Sequence, residues 1–103
     1  MSEHATSILG TFQGRTYYLT IRVTPDFNDV EDFSVTVHYS DPAAEEEIQI
    51  ARIDTEHGYT HFDRLYRRDQ PKDPIDVDVW EAATLLEENW RQYARSFDNH
   101  TQE

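Results

Sequence analysis

Asp54, His57, His61 and Asp63 are the side chains whose types and spacing point most directly to chemistry. His57 and His61 are four residues apart, a spacing that on a helix puts two imidazoles on one face for a metal. Gly58 lies between them and the flanking pattern is that of strands, so the segment reads as extended chain around a turn at Asp54–Gly58. On a strand, His61 and Asp63 point to the same side, two residues apart. Asp54 precedes the same turn, so the four residues are expected to converge at one hairpin end. A histidine beside a carboxylate is a general acid/base arrangement, and both groups ligate zinc or manganese. The plain alternative is that these are surface or hydrogen-bonding residues. No known metal motif accompanies them, and no metal and no cofactor are expected.

Arg64, Arg67 and Arg68 follow. A guanidinium clamps phosphate or carboxylate with two parallel hydrogen bonds. Arg64 and Arg68 share one strand parity and are the candidate ligand-binding pair; Arg67 falls on the other. Their alternative role is ion pairing with the many nearby acids. The chain has no glycine-rich phosphate loop, no G-x-S-x-G and no H-E-x-x-H. With no cysteine, thiolate nucleophiles, thiolate metal sites and disulfides are excluded.

The elements that must hold these groups follow from alternation and turn residues. Ser7–Phe12 reads as a first strand, with a turn at Gln13-Gly14. Arg15–Thr24 alternates Tyr17, Leu19, Ile21 and Val23 with Tyr18, Thr20, Arg22 and Thr24, the period of a half-buried strand ended by Pro25. A loop follows to Asp32. Phe33–Ser40 repeats the alternation, with Ser34, Thr36, His38 and Ser40 outward. Glu46–Asp54 changes parity between Ile50 and Ala51, which suggests a β-bulge or a change of covered face. Tyr59–Arg68 is a fifth strand. After a proline-punctuated linker, Asp78 and Glu81 form a capping box that starts a helix running to about Phe97. Val79, Ala83, Leu86, Trp90, Tyr93, Ala94 and Phe97 make its apolar stripe.

Five strands followed by one helix give an α+β class: a five-stranded, mainly antiparallel β-meander with one C-terminal α-helix packed across one face. The 103 residues suit a single domain, with residues 1–6 and 98–103 as flexible ends. The opposite sheet face, with Tyr18, Thr20, Arg22, Thr36 and His38, is expected to be wet. With one helix to cover the sheet, a homodimer is expected, since twofold dimers are the commonest oligomer. The alternative is another protein as partner.

Charge narrows the function classes. There are 21 acids against 9 bases, a net charge of −12, and Lys72 is the sole lysine. Nucleic-acid binding needs a basic face, which this composition argues against. The chain carries no transmembrane run and no signal peptide at Met1–Ser7, so a soluble, cytoplasmic protein is expected.

Over ARIDTEHGYTHFDRLYRR and DQPKDPIDVDVWEAATLLEENWRQYARSF, about half the chain, the sequence resembles small uncharacterised domain families of halophilic archaea. That resemblance implies a saline source and no defined activity. A more distant similarity is to TumE-like toxins, small β-meander proteins with a C-terminal helix. Asp54, Gly58 and His61 match their layout of an aspartate after a strand and a glycine turn leading to histidine. Their lysine-bearing glycine turn and closely paired histidines are absent. The sequence thus leaves the function open. A homodimeric interaction module is the first expectation, and a toxin-like nuclease or hydrolase with its site at the 54–61 turn is the rival. In molar salt the Debye length falls to about 3 Å, so carboxylate repulsion is screened. The melting temperature should therefore rise steeply between about 0.1 M and about 3 M KCl; a flat response contradicts the halophilic reading.

Overall fold

A computed structural model describes residues 2–41, 46–56, 59–64, 73–74 and 77–101. The elements are β1 (Glu3–Phe12), β2 (Arg15–Asp26), β3 (Asp29–Asp41), β4 (Glu46–Glu56), β5 (Tyr59–Arg64), β6 (Asp73–Pro74) and α1 (Val79–Thr101). Neighbouring strands pair antiparallel in chain order, so the sheet is a simple meander. The expected five strands are corrected. Four long strands, β1 to β4, form the sheet on which α1 packs, and the short β5 and β6 only extend its edge. Of the expected Tyr59–Arg68 strand, Tyr59–Arg64 is described as β5, and residues 65–68 lie outside the described residues.

Turn chemistry explains why the strands outrun their sequence boundaries. Gln13 and Gly14 both have positive φ, 55° and 76°, and close the β1–β2 hairpin in two residues. Between β2 and β3 the expected loop is a second tight turn. Asp26 Oδ1 accepts from the backbone N–H of Asn28 and of Asp29, each at 2.9 Å, so the side chain shapes the reversal. Pro25 does not end β2; it sits at a register shift, where its missing N–H is tolerated. β1 starts at Glu3, and residues 3–6, read as part of a polar end, pair with β2.

The parity change in β4 is a bulge. Val37 pairs with Ala51 and His38 with Gln49, leaving Ile50 as the extra residue. Both Ile50 and Ala51 are thereby fully buried. A second bulge leaves Leu9 unpaired between Ile8 and Gly10. At Gly10 a Cβ would stand 3.1 Å from Trp90 Cζ2, so the missing side chain admits the indole.

The capping box forms as read. Glu81 N–H donates to Asp78 Oδ1 at 2.8 Å, and Asp78 N–H donates to Glu81 Oε1 at 3.2 Å. Val79, Ala82, Ala83, Leu86, Trp90 and Ala94 are buried against Tyr17, Leu19, Val35, Val37, Tyr39 and Ile53. Trp90 meets Tyr17 in a tilted contact at 5.1 Å, and Tyr17 in turn meets Tyr39 at 5.2 Å. The helix runs past Phe97 to Thr101, and Arg15 pairs with Asp98 at 2.6 Å, tying the start of β2 to the last turns of α1. Outside the core stripe, Trp80 is 53% exposed and stacks on Phe27 at 6.0 Å. No described helix is long and apolar enough to cross a membrane.

Leu86→Ala should cost about 2–5 kcal/mol, because the sheet cannot collapse into the space left behind. Asp78→Ala should cost about 1 kcal/mol through the lost cap. Urea unfolding checks both, and equal losses would contradict the core assignment.

Candidate functional site

The meander turns one sheet face to α1 and leaves the other open. Side chains directly opposite on antiparallel strands share a face, so the register lays out the open side as rows. Arg22, Ser34 and Asp54 form one row, and Thr6, Thr20, Thr36 and Arg52 the next. Tyr18, His38 and Gln49 form a third, and Ser40 stands opposite Glu47 in a fourth. Nine of these residues line a cleft of about 340 Å³: Thr20, Arg22, Ser34, Thr36, His38, Glu47, Gln49, Arg52 and Asp54. The wet face read from alternation is therefore a concave polar surface.

His38 is its centre. Its ring stacks on Tyr18 at 5.7 Å, with its Nε2 2.6 Å from Thr20 Oγ1 and its Nδ1 against Glu47 Oε1. Ser40 donates to the other Glu47 oxygen at 2.6 Å, and Thr6 and Thr20 hydroxyls meet at 2.9 Å. An ionised Glu47 only accepts, so His38 Nδ1 donates to it, and the Thr20 hydroxyl bridges His38 Nε2 and the Thr6 hydroxyl. The Ser40 hydrogen bond, followed by that of His38, holds the Glu47 carboxyl below its usual range, against the opposing effect of burial. Further along the face, Arg52 Nε lies 3.5 Å from Asp54 Oδ2.

The residues singled out by sequence are partly gathered here. Asp54 does not sit at a turn but inside β4, in the cleft wall. The β4–β5 register sets His61 opposite Asp54 and Asp63 opposite Arg52. Arg64 falls opposite Ala51 in the same register. His57 and Arg68 lie outside the described residues. The guanidiniums that do reach the cleft are Arg22 and Arg52, neither of which was singled out as a ligand. Sequence reasoning also missed the His38–Glu47 pair. His38 was readable as outward, but Glu47 belonged to an acidic run, Glu45–Glu47. Only the register that sets Ser40 opposite Glu47 brings the two within reach.

A family model for a domain of unknown function, DUF7718, matches residues 3–103. The chain belongs to this family. No curated protein and no solved structure matches it. The family carries no stated activity, and nothing in the match ties it to halophilic archaea or to TumE-like toxins.

A carboxyl depressed in the folded state adds stability above its unfolded pKa, about 4.3, and that stability is lost as pH falls through the lower folded value. Glu47→Gln removes this component. Its melting temperature should fall less than that of the wild type between about pH 5 and about pH 3. Superimposable acid profiles from calorimetry would contradict the Ser40–Glu47–His38 network.

Proposed function

We propose that the chain is a binding module whose open sheet face takes a small hydroxylated molecule carrying one phosphate or carboxylate group. The observation that carries this reading is the cleft itself. It places two of the protein's few cations, Arg22 and Arg52, beside hydroxyls and an amide from Thr20, Ser34, Thr36 and Gln49. Guanidinium suits the anionic group, and the neutral donors and acceptors suit hydroxyls. The size lies at the lower end of ligand pockets, roughly 300–1,000 Å³. Asp54 already faces Arg52, which limits its repulsion of an anion. The acidic excess supports operation in a saline cytoplasm, where the remaining carboxylates are screened.

A hydrolytic reading has one observation in its favour. Thr20, His38 and Glu47 stand in the order hydroxyl, imidazole, carboxylate, with the hydroxyl in reach of Nε2. Against it, β2 is paired on both sides, so the N–H groups around Thr20 are engaged in ladders rather than aimed at a developing oxyanion. The toxin-like alternative accordingly moves from the 54–61 turn to this face and ranks second.

Calorimetric titration with inorganic phosphate and with a sugar phosphate tests the binding reading. The sugar phosphate should bind more tightly than phosphate alone. Arg22→Ala and Arg52→Lys should each weaken it by about tenfold, equivalent to about 1.4 kcal/mol. Arg95→Ala, remote on α1, should leave it unchanged. Equal affinity in all four proteins, or none in any, would sink the proposal.

A further inference from the structure

We propose that the chain dimerises by antiparallel pairing of β1 with β1 of a second copy. β1 is the first strand of the sheet and, among the described residues, pairs on one side only, with β2. Its other side therefore presents a row of backbone donors and acceptors, a ready template for another strand. Glu3 through Ile8 are all exposed, and Ile8 is 70% exposed, beside Tyr18 on the open face.

Edge strands are commonly guarded by charge, lysine or proline. From Ala5 to Phe12 this edge has none of these, in a chain with 21 acids and 9 bases. Its one irregularity is the bulge at Leu9, which limits regular pairing to the stretch before it. The outcome is a short, neutral strip on a strongly acidic molecule.

Charge selects a second copy as the occupant. Two chains of net charge −12 repel over most of their surfaces and approach at least cost where neither is charged. Antiparallel pairing about Thr6 keeps the two Glu3 carboxylates at opposite ends of the contact and sets His4 opposite the partner's Ile8. A twofold axis normal to the sheet makes the contact isologous and closed, so pairing stops at two. It also leaves both helices on one side and both polar clefts on the other. This inference does not depend on the ligand reading.

Light scattering in about 2 M KCl, where charge repulsion is screened, tests it. The wild type should show twice the chain mass. The double variant Ala5→Lys/Ile8→Lys, whose altered side chains lie outside the core, should show the mass of one chain with an unchanged circular dichroism spectrum. In the wild type, amide exchange at residues 3–8 should slow as protein concentration rises. A monomeric wild type, a dimer that survives both lysines, or concentration-independent exchange at residues 3–8 would overturn the proposal.

Discussion

One amphipathic helix has to cover the apolar face of a sheet four long strands wide, and the rest of the molecule is arranged around that contact. The helix meets the sheet through small residues at Ala82, Ala83 and Ala94 and through two large anchors, Leu86 and Trp90. The small residues let the backbones approach, and the anchors fill the space between. Trp90 reaches the β1 edge only because Gly10 has no side chain, and it touches Tyr17 in β2, so one indole links both strands to α1. The bulge at Ile50 serves the same contact, turning two consecutive β4 residues into the core where strict alternation would bury one.

Because the helix is spent on one face, the other has no apolar cover and must satisfy its own polar groups. It does so by cross-strand hydrogen bonding. The chain Thr6–Thr20–His38–Glu47–Ser40 runs across all four long strands and fixes the His38 ring. Such a network stiffens a surface without closing it, which suits recognition of a polar ligand. The charge balance points the same way: most of the surface is acidic, whereas Arg22 and Arg52 stand together in the cleft.

Local signals carried much of this architecture. Alternation in Arg15–Thr24 and Phe33–Ser40 revealed which residues face the helix, Asp78 and Glu81 marked the helix start, and the Ile50–Ala51 parity change marked the bulge. Non-local pairing was harder to read. Pro25 suggested a strand end, but the Asp26 side chain carries the hairpin onward. The His38–Glu47 pair escaped notice for the same reason. Asp54, His57 and His61 are close in sequence and drew the reading to a turn, whereas His38 and Glu47 meet only across a register that residue types do not encode.

The central claim is that the open sheet face, and not the helix side, is the working surface. Amide correlation spectra recorded during titration with a sugar phosphate test it most directly. The account predicts perturbations gathered at Arg22, Ser34, Thr36, His38 and Arg52. Perturbations gathered around Phe27 and Trp80, on the helix side, would contradict it.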